Sequence, residues 1–316
     1  MVERTMNEIR ESDDSVTCAG CAAKARADVP AHVHRAPHNQ RTYTLQRCPN
    51  CELQFWWPLQ ADPSVYEGEG FEAYVDYHTG KRPFPRWAEP LFAALPPHRG
   101  RALDIGCGDG AVLHRLAQIG YEPHGIDLDE KSIAVAREKF HLANVSVSTL
   151  DAFEHASGLR GEQFDLVTFF EVLEHQDAPL AFLAQVQRLC RPGGIVAGSV
   201  PNRDRFLARF DRRLGDGDLP PHHFLWFSRA ALVRLFERAG FTNVDVTTTG
   251  ALPYRQIVAK LAALFERRLR RVASLRWLVL PCKVLAPALA VVPWIGMRLA
   301  PSHLFFRCTA PATKPS

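Results

Sequence analysis

The hydrophobic pattern divides the chain before any motif does. From residue 101 onward, short strand-like runs alternate with stretches whose apolar residues recur at helical spacing. RALDI (101–105) predicts a strand, GCGDG a turn, and AVLHRLAQIG a helix that stops at Gly120. EPHGIDL predicts the second strand and DEKSIAVAREKF the helix after it. VSVSTLD and FDLVTFF are the next strands, followed by the helix PLAFLAQVQRLC, the stop RPGG and the strand IVAGSVPN. SRAALVRLFERAGF and TNVDVTTTG add a helix–strand pair, and HLFFRCTAP (303–311) predicts a last short strand. Strands alternating with helices of this length imply parallel βαβ units, so the expected fold class is α/β with an open, doubly wound sheet.

Three regions lie outside that alternation. Residues 18–51 hold Cys18-x-x-Cys21 and Cys48-x-x-Cys51, with 26 residues and no apolar periodic segment between the pairs. Two such knuckles can aim four thiolates at one cation, so 1–57 is read as a ribbon closed by structural Zn2+, the metal substituting for a core. His32, His34 and His38 in the intervening loop are read as solvated, since four thiols suffice. Residues 58–98 are rich in Pro and aromatics (Tyr66, Phe71, Tyr74, Tyr77, Phe84, Trp87) and are read as a connector, most of whose rings pack while some cover a site. The α/β domain then spans 99–316 and carries an insertion, 251–302, between its last two strands.

Composition is that of a folded protein, 47% hydrophobic and 23% charged, which excludes global disorder. Eight cysteines behind a polar N-terminus with no apolar signal core lead us to expect a cytoplasmic, reducing location. The net charge of +4 is unevenly placed: residues 251–302 carry nine Lys/Arg against Glu266 alone, a net +8. In that insertion QIVAKLAALFERRLRRV has apolar positions at helical spacing with arginines opposite. WLVLPCKVLAPALAVVPWIGM follows, with 14 uncharged residues between Lys283 and Arg298. Pro287 and Pro293 are expected to interrupt that run, and a spanning helix needs about 20 apolar residues, so a full span is rejected. A basic apolar hairpin in a membrane interface, through 255–300, fits Trp277 and Trp294; a helical cap or dimer surface is the plainer alternative, and nucleic acid is disfavoured.

The chemistry concentrates in the α/β part. Asp104-Ile-Gly106-Cys-Gly108-Asp-Gly110 closes the first strand and opens a helix, where glycines let a cofactor approach the backbone. Asp127 ends the next strand, 21 residues after Gly106, where a carboxylate can accept both ribose hydroxyls. Asp104 would repel a pyrophosphate and suits a cationic ammonium group. Pro220-Pro221-His222-His223 falls over the carboxyl edge of the sheet, so His222 or His223 is a base candidate, with a helix-capping histidine as the alternative. In FFEVLEHQD (169–177), Glu171, Glu174 and His175 stand at i, i+3 and i+4, a spacing open to metal binding, acid/base work or loop bracing.

DIGCGDG, GIDLDE, FDLVTFFEVLEH, RLCRPGGIVAGSVPN and PHHFLWFS resemble the successive motifs of class I S-adenosylmethionine-dependent methyltransferases, most nearly the ubiquinone-biosynthesis O-methyltransferase-like branch. The similarity covers about 101–249, and the preceding CxxC…RCxxC resembles a subgroup that includes sugar C-methyltransferases. The resemblance implies a mostly parallel seven-stranded sheet with an antiparallel last strand. It also implies S-adenosyl-L-methionine as cofactor, with Asp104 and Gly106 at its methionine end, Gly108 near its backbone, Asp127 and Leu128 at the ribose, and Asp151 with Ala152 at the adenine. It places Glu171, Glu174 and His175 at positions that hold a divalent cation in the quinone enzymes, here Mg2+, with Glu171 facing the methyl group. The expected function is methyl transfer to an O or C nucleophile of a small or lipid-linked acceptor. The alternatives are a non-catalytic adaptor of the same fold and an NAD-dependent oxidoreductase, the second disfavoured by Asp104.

Overall fold

The computed structural model describes residues 16–60 apart from 28–31 and 38, 75–95, 100–250 apart from 160, 207 and 209–217, 279–299 and 301–312, with isolated positions between 254 and 266. The N-terminal part is an antiparallel arrangement of β1 (Val16–Thr17), β2 (Lys24–Ala27), β3 (Val33–Arg35), β4 (Thr42–Arg47) and β5 (Gln54–Trp57). Its two knuckles repeat one turn. Ala22 N donates to Cys18 O at 2.8 Å and Glu52 N to Cys48 O at 3.0 Å, with Ala22 and Glu52 both left-handed at φ 60° and 63°. The ribbon does not lack a core, contrary to the reading of its sequence. Alternation along β4 buries Tyr43 and Leu45 against Ala25, Phe55 and Trp56, a period too short to register between the cysteine pairs.

After helices α1 (Val75–His78) and α2 (Glu89–Ala94) the chain enters the main sheet. Its elements are β6 (Arg101–Ile105), α3 (Ala111–Gln118), β7 (Glu122–Asp127), α4 (Glu130–Phe140), β8 (Val145–Val147), α5 (Leu150–Leu159), β9 (Phe164–Phe170), α6 (Pro179–Leu189) and β10 (Cys190–Pro201). They are followed by β11 (Leu225–Trp226), α7 (Arg229–Arg238), β12 (Thr242–Thr249), α8 (Val279–Leu299) and β13 (His303–Thr309). Seven strands run in the order β12-β13-β10-β9-β6-β7-β8, parallel except that β13 is antiparallel to both neighbours. The doubly wound α/β expectation and its antiparallel last strand are therefore met. Helix α5 and the two-residue β11 carry too weak a period for the sequence to have signalled them.

β11 joins the two parts. Leu225 pairs with Phe55 and Trp226 with Gln54, so the ribbon sheet takes its last strand from the loop before α7. Trp56 and Trp226 meet edge to face at 5.3 Å, and ribbon and sheet residues share one hydrophobic core. His34 belongs to this seam and is not solvated: half-buried, it sits 6.1 Å from the Trp56 ring, with Nε2 3.0 Å from the Pro220 carbonyl. His38, Tyr66, Phe71 and Tyr74 lie outside the described residues, as do the arginines from Arg267 to Arg276 and Trp277 of the insertion.

The described arm of the insertion is α8, one helix that passes through Pro287 and Pro293 without a break. Each interior proline removes one backbone hydrogen bond at a cost of about 3 kcal/mol, and packing offsets part of that loss: Ala286 and Ala290 are fully buried. The opposite face is bare, with Val284 70% and Val292 67% exposed beside Leu285, Leu289 and Ile295. Among the described residues no helix is long and apolar enough to cross a membrane.

Candidate active site

The glycine loop leaves β6 at Asp104, whose register partners are Gly125 on β7 and Thr168 on β9. That register lets Thr168 Oγ1 donate to Asp104 Oδ1 at 2.7 Å. Burial lifts the Asp104 carboxyl to about 7, against the opposing effects of Thr168 and the Arg82 charge. Gly106 and Gly108 are left-handed at φ 74° and 52°, and both are also fixed by close approach: a Cβ would stand 2.6 Å from the Val172 side chain at Gly106 and 2.7 Å from the Tyr77 ring at Gly108. Asp127 closes the loop from β7, its Oδ2 accepting from Gly108 N at 2.7 Å and its Oδ1 from Asp129 N at 2.9 Å. A carboxylate that accepts backbone donors on both oxygens is held in one rotamer. Leu128 is exposed beside it.

Across the loop, Arg82 stacks on the Tyr77 ring at 3.8 Å and pairs with buried Asp109 at 3.0 Å. His78 Nε2 lies 2.6 Å from Asp129 Oδ2, pinning α1 to the β7–α4 turn. Tyr77 thus covers the glycines, while Trp87 packs on Phe170 and Phe84 on Phe92, as most of the connector rings were expected to do. Asp151 and Ala152 begin α5; Asp151 is exposed and accepts from Gln185.

The stretch after β9 splits its three candidates. Glu171 is left-handed at φ 56°, an uncommon conformation for a residue with a side chain, and turns toward β10 and β13. It accepts from Ser199 Oγ at 2.6 Å and faces His303 Nε2 at 3.2 Å. Burial would push its carboxyl up, but His303 and the hydrogen bond from Ser199 hold it below its ordinary value. Glu174 points the other way and is fully buried, and among the described residues neither of its oxygens has a hydrogen-bond partner. Burial, and then the Glu171 charge, raise its carboxyl well above the usual range. His175 Nε2 and His223 Nε2 stand 4.0 and 3.9 Å from Glu174 Oε1. Their other nitrogens are anchored, His175 Nδ1 at 2.5 Å from the His222 carbonyl and His223 Nδ1 at 3.3 Å from Asp218 Oδ1. The grouping is therefore Glu174, His175 and His223, without Glu171. One carboxylate and two imidazoles, each with its far nitrogen held, are a donor set for a transition metal rather than for Mg2+. The histidine-capping alternative is excluded for α7, whose N-cap is Ser228, accepting from Ala231 N at 3.2 Å.

Among the described residues only one other group brings three or more donors together. Cys18, Cys21, Cys48 and Cys51 are all buried, with every sulfur within 4.8 Å of the others and the nearest pairs at 3.4 and 3.5 Å. Tetrahedral zinc thiolates require sulfurs about 3.8 Å apart, which follows from Zn–S bonds of about 2.3 Å, so the four residues fit that ion.

A family model described as a methyltransferase domain matches residues 78–246, more than half of the chain. The chain belongs to the class I S-adenosylmethionine-dependent methyltransferases. The ubiquinone biosynthesis O-methyltransferase of Aromatoleum aromaticum is 43% identical over 168 residues, which cover 50% of this chain and 70% of that one. The corresponding protein of Cereibacter sphaeroides is 36% identical over 114 residues, 36% of this chain and 46% of the relative. The chain thus spans about half the length of several curated relatives it matches. A Haloferax volcanii complex between the Trm112 methyltransferase activator and a methyltransferase contains a chain of the same fold, at TM-score 0.50 and 16% identity, covering 78% of this chain and 98% of that one. For this methyltransferase, S-adenosyl-L-methionine is the cofactor, and the glycine loop fits it: a backbone cleared of Cβ atoms, an acid at each end, and an aromatic cover.

Sequence reasoning missed Arg82, Asp109, Asp218, Ser199 and His303. Each reaches the site from a separate segment, and only Asp109, within the glycine motif, stood next to a residue already singled out.

Proposed function

We propose that the chain moves a methyl group from S-adenosyl-L-methionine to an oxygen, or a carbon, of a small or lipid-linked acceptor, a quinone-type phenol or a glycan intermediate. One observation carries the reading. Val172, the residue after Glu171, is what a Cβ at Gly106 would strike, so the turn that carries the acid and histidine cluster packs on the start of the glycine loop. When bound, the cofactor supplies a sulfonium methyl that is already activated, so the protein's task is orientation, water exclusion and a deprotonated nucleophile. Asp127 and Leu128 bind the ribose, Asp104 and Gly106 the methionine end, Gly108 the cofactor backbone, and Asp151 with Ala152 the adenine. Tyr77 and Arg82 exclude water. His223 takes the acceptor proton at Nε2 while Asp218 keeps the other proton on Nδ1. His222 contributes its carbonyl to His175.

The unpartnered Glu174 carboxylate favours a second use of the same group: a divalent transition metal on Glu174, His175 and His223, which when bound would polarise a catechol-type oxygen. Glu171 is then the carboxylate left to take the proton. Zinc-loaded protein incubated with methyl-labelled cofactor, a catechol probe and a total lipid extract tests the acceptor class. Label in the catechol or the lipid phase supports it; cofactor binding with transfer to neither overturns it. Activity lost on chelation while the ribbon zinc is still bound, and restored by Mn2+, separates the metal route from the His223 base.

We also propose the division 1–57, 58–98 and 99–316, with 251–302 as a membrane-facing insertion. The bare apolar face of α8 and the +8 of its segment suit an anionic leaflet, and they support our reading of a cytoplasmic chain at the inner face of a membrane. Co-sedimentation with vesicles containing phosphatidylglycerol, reduced at least about tenfold on deleting 255–300, is the expected result; a parent that never binds them contradicts it.

A further inference from the structure

The ribbon and the histidine loop are attached to each other more closely than either function requires. Residues 218–226 carry His222 and His223, and several backbone anchors of that segment come from the ribbon. His34 on β3 donates from Nε2 to the Pro220 carbonyl at 3.0 Å. Trp56 N donates to the Phe224 carbonyl at 2.9 Å, and β5 pairs with β11 at Leu225 and Trp226. The Tyr43 ring meets Phe224 edge to face at 5.9 Å. Trp226, packed on Trp56, donates from Nε1 to the carbonyl of Asp218, the residue whose carboxylate holds His223.

The second anchor is the knuckle itself. Glu52, directly after Cys51, accepts from Arg203 Nη1 at its carbonyl and from Arg234 Nη1 at its carboxylate, both at 2.7 Å. Gly20, inside the first knuckle, faces Leu235 of α7: a Cβ there would be in ordinary contact with its Cδ1 at 3.7 Å and with the Cys51 sulfur at 3.6 Å. The four thiolates therefore fix β4 and β5, and those strands fix the loop. On its other side the loop meets the site directly, Phe224 N donating to Glu174 O at 2.9 Å and the His222 carbonyl meeting His175 Nδ1.

We infer that the four-cysteine ribbon is a positioning element of the acceptor site, with His34 as the residue that transmits its order to the His222–His223 loop. The side chains that brace the glycine loop, Thr168, Tyr77, Arg82 and Asp129, come from segments other than the ribbon. Losing the ribbon's metal should therefore release the acceptor side and leave cofactor binding intact. The catalytic importance of that release rests on the function proposed above; the coupling itself does not.

Hydrogen–deuterium exchange on the full zinc-loaded chain tests the coupling, with S-adenosylhomocysteine affinity measured in parallel. In His34→Ala, amide exchange within 218–226 should quicken by about tenfold, that in 101–129 should stay unchanged, and affinity should remain within about twofold. His34→Gln, which keeps a donor near the same place, should recover most of the protection. Removing the zinc with a chelator should reproduce the His34→Ala pattern more strongly. Unchanged exchange in 218–226 in both cases overturns the inference, as does a rise spread equally over 101–129. Loss of homocysteine-ligand binding in the parent would instead overturn the cofactor reading, so the two failures are distinguishable.

Discussion

The glycine loop and the histidine cluster share one sheet edge and are built in opposite ways. The first is local: Asp104, Gly106, Gly108 and Asp127 fall within a single βαβ unit, and the β6–β7 register brings them together. The second is assembled, with Glu174 and His175 after β9 and Asp218 and His223 before β11. The local site is carried by backbone geometry and should tolerate changes far away. The assembled one is as good as the loop that delivers His223, and that loop leans on the ribbon.

The largest effects should separate the two sites. His223→Gln should slow methyl transfer by about 10²–10⁴-fold, the range for losing a general base, with S-adenosylhomocysteine affinity within about twofold. Asp127→Ala should do the reverse in binding, weakening that affinity about 100-fold, as expected for losing charge-assisted hydrogen bonds worth about 1.5–3 kcal/mol each. Equal effects of both variants on affinity would erase the distinction.

A smaller test sharpens the assembled side. After dialysis against Mn2+, the parent should retain metal beyond the one ribbon zinc, measured by elemental mass spectrometry, and Glu174→Gln should retain only the zinc. Equal metal in both leaves Glu174 as a buried carboxylate with a structural role.

The smallest effect concerns Asp104 and has a definite sign. Its carboxyl titrates near 7 in the folded chain, above the unfolded value of about 3.9. The stability this group contributes is thus complete below about pH 4 and is lost as pH rises through 7. Asp104→Asn in the cofactor-free protein should raise Tm by about 2–5 °C at pH 8, and the gain should shrink toward pH 5. A gain that grows on acidification would mean the carboxyl is ionised throughout.

How much the sequence showed follows the same division. The period of alternation, the glycines and Asp127 sit in one contiguous stretch, so fold class and cofactor edge were legible. The cysteine pairs were legible for the same reason. Glu171 and Glu174 were found but grouped together, because helical spacing was assumed where the chain makes a left-handed turn at Glu171. His303 and Asp218 belong to the site only through the β10–β13 register and the ribbon seam, which no local pattern encodes. His34 was read as solvated because its partner, Pro220, lies 186 residues away.

The central claim is that this is a working cofactor site independent of its acceptor loop, and calorimetric titration of the zinc-loaded chain with S-adenosyl-L-methionine tests it most directly. The account predicts one site per chain, competed by S-adenosylhomocysteine and weakened about 100-fold in Asp127→Ala. No heat and no competition in folded, zinc-loaded protein would contradict it.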